Sequence, residues 1–336
     1  MQADERILIT GGAGYIGSHT VLAFRDAGHH VVIVDDLSTG VRDNVPGEVP
    51  LVVADIADMA TVERVIRSHG VNHVIHFAGS IVVPDSVTDP LAYYRNNTMA
   101  SRNLLEVCVR CGVRSFVFSS TAAVYGEPAV VPVNEDAPTV PTNPYGRSKL
   151  MTEWMLRDVA AAHGLSYVAL RYFNVAGADP AGRTGQSTPR ATHLIKVASE
   201  AAVGIRAYLE VFGDDYPTAD GTCIRDYIHV SDLAAAHVSA LEHLNSGGDN
   251  LVLNCGYGRG FSVRDVLDVV QRLSGRSLDI RRAPRRPGDP MRLVSDPGRI
   301  RTIFPWRPRY DDLDVIVRTA LAWEAKRIGA PAFETI

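Results

Sequence analysis

The chain has 336 residues, of which 46% are apolar and 21% are charged, and its formal net charge is −4 at pH 7. This length predicts about two domains, and the charge balance lacks the basic excess with which nucleic-acid-binding proteins neutralise phosphates. No apolar run is long enough for a membrane-spanning helix, and the four cysteines are too few for a disulfide framework. Because no signal-peptide pattern precedes the first strand pattern either, we expect a cytoplasmic protein.

The first half of the chain alternates short apolar segments with helical patterns. Strands are predicted at residues 6–10, 30–34, 50–53, 73–77, 114–118 and 167–170. Helices are predicted at residues 15–27, 58–69, 90–111 and 144–163. Strands that are apolar throughout belong to sheets covered on both faces. The alternation therefore predicts an α/β fold with a doubly wound, Rossmann-like parallel sheet.

After residue 174 the pattern changes, because residues 175–190 are rich in Gly, Pro and Ala and read as a loop. Further helices are predicted at residues 191–204, 231–245, 262–274 and 311–327, and further strands at 208–212, 251–254 and 278–282. We predict a first domain over residues 1–174, with a segment near 225–250 returning to it. A second, smaller α/β domain is predicted over residues 175–336.

A glycine-rich turn follows the first predicted strand and opens the first predicted helix. Gly11, Gly14 and Gly17 match the pattern G-x-x-G-x-x-G in the context that a dinucleotide site requires. Gly11 permits the tight turn, Gly14 lets the main chain approach a pyrophosphate, and Gly17 lets the helix pack closely on the sheet. The unpaired amides at the start of that helix then face the phosphates.

Carboxylates at the ends of the next two strands indicate which dinucleotide is bound. Asp35 and Asp36 end the second strand, where a carboxylate accepts hydrogen bonds from the adenosine ribose and repels a 2′-phosphate. This position favours NAD over NADP. Asp55, after the third strand, is predicted to meet the adenine amine.

Tyr145 and Lys149 form the candidate catalytic pair, since their spacing of four residues places them on one face of a predicted helix. Only three of the 34 basic residues are lysines, so a lysine at this position invites a chemical role. A nearby ammonium favours the phenolate, and with the positive nicotinamide ring it is expected to lower the phenol pKa. Thr121, at the end of the fifth strand, can relay a proton to Tyr145. Together these groups can oxidise a secondary alcohol.

These motifs resemble the extended short-chain dehydrogenase/reductase family, above all in Tyr145-x-x-x-Lys149. Longer segments, including RYFN at 171–174 and VFGDDYPTADGTCIRDYIHVSD at 211–232, are similar to the UDP-glucose 4-epimerases of that family. The cofactor site implied by the resemblance is made of Gly11, Gly14, Tyr15, Ile16, Gly17, Asp35, Asp36, Asp55, Ile56, Phe77, Ala78, Gly79, Asn97, Ser119, Tyr145, Lys149 and Tyr172. The implied substrate site is made of Thr121, Asn174, His193, Val211, Phe212, Arg225, Arg286 and Asp289.

The resemblance implies tightly held NAD, a UDP-sugar between the two domains, and a homodimer built on helices near 90–111 and 144–163. Transient oxidation at C4, with Tyr145 as the base, would convert UDP-galactose into UDP-glucose. UDP-N-acetylhexosamines and UDP-pentoses stay open as alternative substrates, because Leu293 lies near the position that gates N-acetylated sugars in the family. Ile81 and His193 also depart from the family pattern. Sugar-nucleotide dehydratases carry an Asp-Glu pair where this chain has Ala122-Ala123.

No spacing among the eleven histidines matches a metal-ligand grouping, so we predict no metal site. The competing hypotheses are a net-redox or eliminating enzyme on another nucleotide sugar, and an NAD-sensing protein without catalysis. The second of these is disfavoured by the presence of both Tyr145 and Lys149.

Overall fold

The structure is a computed structural model, and it describes residues 5–188, 191–286 and 288–330. A seven-stranded parallel sheet forms its larger part, with the strand order β10-β6-β5-β4-β1-β2-β3. The strands of this sheet are β1 (Arg6–Thr10), β2 (His30–Asp35), β3 (Leu51–Val53), β4 (His73–His76), β5 (Ser115–Thr121), β6 (Ser166–Tyr172) and β10 (Leu251–Cys255). The predicted doubly wound α/β fold is therefore confirmed.

Helices cover both faces of this sheet, which explains why its central strands are apolar throughout. They are α1 (Tyr15–Asp26), α2 (Met59–His69), α5 (Ala100–Cys111), α6 (Pro144–His163) and α8 (Val230–Asn245), while the short helices α3 (Val83–Thr88) and α4 (Pro90–Tyr93) pack against α6. One buried apolar cluster joins α1 and α8 to Ile7 and Ile9 of β1, and a second joins α2, α5 and α6 to Leu8. Alternate residues of β1 thus face opposite layers, as the two-residue period of a strand requires.

The chain beyond β6 builds the remaining part from shorter elements. Its strands are β7 (Asn174–Ala176), β8 (Leu209–Phe212), β9 (Ile224–His229), β11 (Gly260–Ser262), β12 (Ile280–Ala283) and β13 (Arg292–Leu293). Its helices are α7 (Leu194–Ala202), α9 (Val263–Ser274), α10 (Gly298–Ile303) and α11 (Leu313–Arg327). β9 is the centre of one small sheet with β7, β11 and β13, and β8 pairs with β12 in another.

The helix predicted over 90–111 is interrupted. After α4, residues Tyr94–Met99 form a π-helical turn, and α5 then continues to Cys111. By contrast, α6 agrees with its predicted bounds, since Pro144 occupies its first turn and the Asn143 side chain accepts a hydrogen bond from the Gly146 amide at 2.9 Å. The π-turn widens the helix at Asn97, one of the predicted site residues.

The chain returns to the large sheet through α8 and β10. α8 packs against α1, and β10 pairs with β6 at the edge of the sheet, so the return begins and ends about five residues later than the predicted segment near 225–250. Strand β9 was not predicted, because its sequence IRDYIH mixes charged and apolar residues.

Candidate active site

The glycine-rich turn connects β1 to α1 at the carboxyl edge of the sheet. Gly11 has a positive φ of 71°, and a Cβ there would lie 2.6 Å from the Ala78 amide nitrogen. A Cβ at Gly17 would lie 2.1 Å from the Gly11 carbonyl oxygen. At both positions any larger residue would push apart main-chain segments that now touch, so the two glycines have the roles predicted for them.

The surface of this turn fits a pyrophosphate. A Cβ at Gly14 would meet only the Gly11 carbonyl oxygen, at 3.2 Å, so this face of the turn is open. Gly14 is the N-cap of α1 and provides no side-chain cap, which leaves the first amides of the helix available to an anion. Ile16 lies in the same half-buried first turn, and the Tyr15 hydroxyl donates to the Gly177 carbonyl at 2.7 Å.

The two neighbouring carboxylates at the end of β2 have different environments. Asp35 is buried and accepts hydrogen bonds from the Ala13 amide at 2.9 Å and the Leu37 amide at 2.8 Å. Burial raises its pKa, although these amides act against the rise. Asp36 is exposed and accepts only from Ser38 among the described contacts. Asp35 therefore supports the glycine turn, while the Asp36 carboxylate is accessible to a ribose.

The other predicted cofactor residues at this edge lie after β3 and β4. Asp55 is exposed and accepts from the Ala57 amide at 2.8 Å, whereas Ile56 is buried in the core. The Phe77 amide donates to the Thr10 carbonyl, which holds the Phe77–Gly79 segment beside the glycine turn. Gly79 has a φ of 154°, and a Cβ there would lie 2.9 Å from the Asn97 side-chain oxygen.

The predicted catalytic residues meet where β5 ends and α6 begins. The Thr121 hydroxyl lies close enough to the Tyr145 phenol to lower its pKa. The Lys149 ammonium donates to the Ser119 carbonyl at 3.0 Å and lies 5.0 Å from the centroid of the Phe118 ring. These contacts place all three predicted catalytic side chains at the carboxyl edge of the sheet, where ligands of doubly wound folds bind.

Burial controls the protonation of this pair. It lowers the pKa of Lys149 to about 8, so the amine is still charged at neutral pH. It also raises the pKa of Tyr145, against which the Thr121 hydroxyl acts. The protein's own groups therefore do not produce the predicted fall in the pKa of Tyr145. Phenolate formation requires further positive charge in the site.

Hydrogen bonds among hydroxyl and amide groups connect the segments that carry the catalytic residues. The Ser119 hydroxyl bonds to the Tyr172 hydroxyl. Asn97 is buried, accepts from the Ser80 amide at 2.7 Å, and donates to the Ser148 hydroxyl at 3.0 Å. Asn97 therefore ties the Gly79–Ser80 segment to α6. The sequence prediction missed Ser148, although it lies inside the motif YGRSK.

The predicted phosphate-binding arginines lie around β9. Arg225 is buried and forms an ion pair with Asp289. Burial alone would lower the pKa of Arg225, but the Asp289 charge outweighs it and raises the pKa. The Arg286 guanidinium stacks on the Phe212 ring at 3.7 Å from the ring centroid. Asp289 also connects the two arginines, because its side chain pairs with Arg225 and its amide donates to the Arg286 carbonyl at 3.2 Å.

The remaining predicted substrate residues flank this cluster. Val211 is buried in β8 beside Phe212. Asn174 pairs in register with Tyr227 on β9, two residues from Arg225. Asn174 and His193 both line a small cavity beneath the first turn of α7. The Gln186 side-chain nitrogen and Nδ1 of His193 are hydrogen-bonded at 2.9 Å. Burial lowers the pKa of His193, which keeps the ring neutral at pH 7.

A third apolar cluster joins the catalytic residues to the arginine cluster, by which we mean Phe212, Arg225, Arg286 and Asp289. Two of its residues, Ala122 and Leu150, are the chain neighbours of Thr121 and Lys149. A third, Leu293 on β13, pairs in register with Arg225 on β9. The two halves of the site therefore share one packed core. Ile81 lies at the surface and is 47% exposed.

Within the described ranges, no three His, Cys, Asp or Glu side chains are grouped as a metal site would require. Helices long and apolar enough to cross a bilayer are also missing from the part of the chain that the structure describes.

Comparisons with known proteins agree with this geometry. Residues 7–256 match the model of the "NAD dependent epimerase/dehydratase family". The chain is 62% identical over 322 residues to the UDP-glucose 4-epimerase of Azospirillum brasilense, covering 96% of this chain and 92% of that protein.

Two solved structures have the same architecture. The UDP-glucose 4-epimerase of Brucella ovis in complex with NAD superposes with a TM-score of 0.91 at 47% identity, covering 94% of this chain and 97% of that one. The Bifidobacterium longum enzyme in complex with NAD+ and UDP gives 0.92 at 36% identity, covering 97% and 100% of the two chains.

Proposed function

The chain belongs to the NAD dependent epimerase/dehydratase family, and on that premise we propose that it interconverts UDP-galactose and UDP-glucose as an NAD-dependent 4-epimerase. One observation carries this assignment: the Thr121 hydroxyl acts on the Tyr145 phenol, and the buried Lys149 ammonium, one helical turn further along α6, is bonded to the Ser119 carbonyl at the carboxyl edge of the sheet. The three relatives named above are UDP-glucose 4-epimerases, and the structures from Brucella ovis and Bifidobacterium longum are complexes with NAD. The chain is thus an enzyme of the extended short-chain dehydrogenase/reductase family.

The open turn around Gly14, the exposed Asp36 and the Phe77–Gly79 segment would hold the dinucleotide. Bound there, NAD would supply reversible hydride acceptance at C4 of the sugar, and its nicotinamide ring would add a second positive charge to the site. Asp55, Ile56, Asn97, Ser119 and Tyr172 complete the proposed cofactor site. Of these, the buried Ile56 and Asn97 act by shaping the site rather than by offering free polar groups.

Tyr145 takes the proton from the sugar 4-hydroxyl and gives it back after the sugar has turned over. Thr121, whose hydroxyl lowers the pKa of the phenol, is placed to pass that proton between substrate and Tyr145. Lys149 stabilises the phenolate by its charge, which it keeps at neutral pH because its pKa is about 8. The proton and the hydride both return to the product, so the reaction has no net redox change.

The sugar must rotate between the two transfers, so the enzyme has to bind UDP firmly and the hexose loosely. Arg225 and Arg286 are proposed to bind the diphosphate, since a guanidinium binds phosphate oxygens in a bidentate manner. Phe212 and Val211 flank them, and Asn174, His193 and Asp289 complete the proposed UDP site. We propose residues 1–174, with a returning segment near 225–250, as the NAD-binding domain, and the rest of residues 175–336 as the UDP-sugar domain.

The test is incubation of the purified protein with UDP-galactose, with products followed by proton NMR. We expect UDP-glucose to form without accumulation of NADH. Stoichiometric NADH, or a 6-deoxy-4-keto product, would instead assign a dehydrogenase or a dehydratase. A parallel reaction with UDP-N-acetylgalactosamine and one with a UDP-pentose decide whether these alternative sugars are accepted.

We also propose a homodimer that buries one face of α4, α5 and α6. Leu91 is 77% exposed, and Met99 and Trp154 are each 48% exposed on these helices and the π-turn between them. Large apolar side chains exposed together mark an interaction surface. Leu91→Arg combined with Trp154→Arg should give a monomer by light scattering, whereas Val140→Arg, at a residue 67% exposed outside these helices, should not. A dimer that survives the double change would place the interface elsewhere.

A cytoplasmic location is proposed as well. Cys108, Cys111, Cys223 and Cys255 are all free thiols, as in proteins of reducing compartments. Fractionation of the producing cell, with the activity followed in each fraction, tests this location.

A further inference from the structure

Helix α6 carries a third ionisable residue on the face that bears the catalytic pair. Tyr145, Lys149 and Glu153 follow one another at four-residue intervals, which stacks them along one side of the helix. Each of them faces one of the last three residues of β5. Lys149 donates to the Ser119 carbonyl at 3.0 Å and Glu153 accepts from the Ser120 hydroxyl at 2.5 Å, while the Thr121 hydroxyl lowers the pKa of Tyr145. Two hydrogen bonds thus fix how α6 sits on the end of β5.

Glu153 is held on its other side by Arg171 of β6. The guanidinium donates to both carboxylate oxygens, with Nε at 2.9 Å and one terminal nitrogen at 2.6 Å. The two side chains are only 4% and 7% exposed. Burial alone would lower the pKa of Arg171, but the contacts with Glu153 outweigh it and raise the pKa, so the guanidinium is charged.

Arg171 also forms a hydrogen bond on the side away from Glu153, with a buried tyrosine. Its other terminal nitrogen donates to the Tyr125 hydroxyl at 3.0 Å, and that hydroxyl donates to the Asn254 side chain at 2.7 Å. The Glu153–Arg171 pair therefore has hydrogen-bond partners on β5 and in the turn after β5, and Tyr125 extends this network to β10. A buried ion pair with complete hydrogen bonding contributes little net stability compared with an apolar pair, but it permits one geometry only.

The arrangement that this ion pair fixes includes the strand residues that contact the catalytic side chains. Ser120 lies between Ser119 and Thr121, and Arg171 directly precedes Tyr172, which bonds to Ser119. We propose that Glu153 and Arg171 are positioning residues that hold Tyr145 and Lys149 in register over β5. This inference rests on the proposed epimerase function and adds two residues to it that touch neither the substrate nor the cofactor.

The decisive variant replaces the pair by apolar residues of similar volume, Glu153→Leu with Arg171→Met, in the protein purified with its NAD. Such replacements usually keep or raise thermal stability, so a purely structural pair predicts unchanged melting and unchanged turnover. The positioning role predicts unchanged melting with kcat for UDP-galactose reduced by about 100-fold, since a shift of about 1 Å at reacting groups costs that much. KM should stay within twofold of the wild-type value, because the arginine cluster is untouched.

A second readout does not depend on turnover. The phenol ionisation of Tyr145 is followed by ultraviolet absorbance as a difference against the same protein carrying Tyr145→Phe. In the Leu/Met pair the apparent pKa of Tyr145 should rise, because the phenol is no longer held beside the Thr121 hydroxyl, which lowers that pKa. An unchanged pKa together with a kcat within threefold of the wild type overturns the inference.

Ser120→Ala provides a variant that keeps the ion pair and removes only its bond to β5, in case the double replacement does not fold. We expect kcat to fall by about tenfold with KM and melting unchanged, and a kcat within twofold of the wild type contradicts the proposal.

The matched control is Asp232→Asn, which alters a buried carboxylate bonded to Tyr257 and to the Arg309 and Tyr310 amides. It should lower the melting temperature and leave kcat intact. If the wild type itself does not epimerise UDP-galactose, the proposed function fails and not the positioning role.

Discussion

Two regions of the molecule hold polar groups for the same substrate in different ways. We call the end of β5 with Tyr145, Lys149 and Glu153 the catalytic corner, and the group of Phe212, Arg225, Arg286 and Asp289 the arginine cluster. In the catalytic corner, the Lys149 ammonium and the Glu153 carboxylate bond to residues of the sheet. In the arginine cluster, Arg286 stacks on a ring and Arg225 has one acidic partner.

The difference follows from what each region must do. Proton transfer requires reacting atoms at fixed distances, which regular elements joined by buried bonds provide. Binding of a charged ligand requires donors that can still accept it. A guanidinium has five N–H donors, and the described contacts of Arg225 use those of two nitrogens, with Ile224 and Asp289. Each of the following variants tests one side of this comparison.

The largest effect is expected from Tyr145→Phe in the catalytic corner. Removal of the phenol hydroxyl takes away the general base, so turnover of UDP-galactose should fall by about 10³-fold or more. NAD content and the melting temperature should stay at wild-type values, because the ring keeps its packing. Product formation by NMR and the absorbance of released NAD measure the two quantities. Turnover within tenfold of the wild type would remove Tyr145 from the mechanism.

The next effect concerns the charge of Lys149 in the NAD-free protein. Its folded pKa of about 8 lies below the ordinary value of 10.5, so above pH 8 the unfolded chain binds more protons than the folded one. Stability from this group must then rise with pH. Relative to Lys149→Met, the wild type should gain about 3 kcal/mol in its free energy of unfolding between pH 8 and pH 10.5. Urea titrations at several pH values measure this, and parallel curves for the two proteins contradict it.

A smaller effect is expected in the arginine cluster. Arg225→Gln should raise the KM for UDP-galactose by about 10- to 100-fold and change kcat much less, since it removes uniform binding of the nucleotide. The matched control is Arg282→Gln, whose side chain is 81% exposed and paired with Asp214. It should change KM by less than threefold. Equal effects of the two variants would mean that general positive charge, and not the placement of Arg225, binds the substrate.

The smallest effect separates the two aspartates at the end of β2. Asp36→Ala should weaken NAD binding by about tenfold without lowering the melting temperature, because it removes an exposed hydrogen-bond acceptor. Asp35→Ala should instead lower the melting temperature, since the Ala13 and Leu37 amides lose their buried acceptor. Calorimetric titration with NAD and thermal unfolding distinguish them. An Asp35→Ala protein of wild-type stability would contradict the support that we assign to this carboxylate.

Much of the fold could be predicted because its signals are local. Pro144 and the cap at Asn143 define the start of α6, and apolar runs such as that of β1 define buried strands. Gly11 and Gly17 were predicted from their spacing, and the structure shows the close main-chain contacts that exclude a Cβ there. The π-turn at Tyr94–Met99 and the strand β9 escaped prediction, since neither leaves a periodic pattern of its own.

The site was predictable only in part. The pair Tyr145 and Lys149 is a four-residue pattern on one helix, so it can be found without a structure. Glu153 and Arg171 lie on different elements 18 residues apart, and no spacing rule connects them. Asp35 and Asp36 are identical and adjacent, and only packing shows that one faces the glycine turn and the other faces outward.

The sequence by itself therefore determined the class of fold, the glycine turn, and the catalytic tyrosine and lysine, because each of these depends on residues close together in the chain. Only the tertiary structure decided the environment of those residues: which carboxylate is buried, how α6 sits on β5, and why the Tyr145 phenol stays protonated without added charge. Burial and the partners of a buried group are set by segments distant in sequence, and they control both its charge and its position.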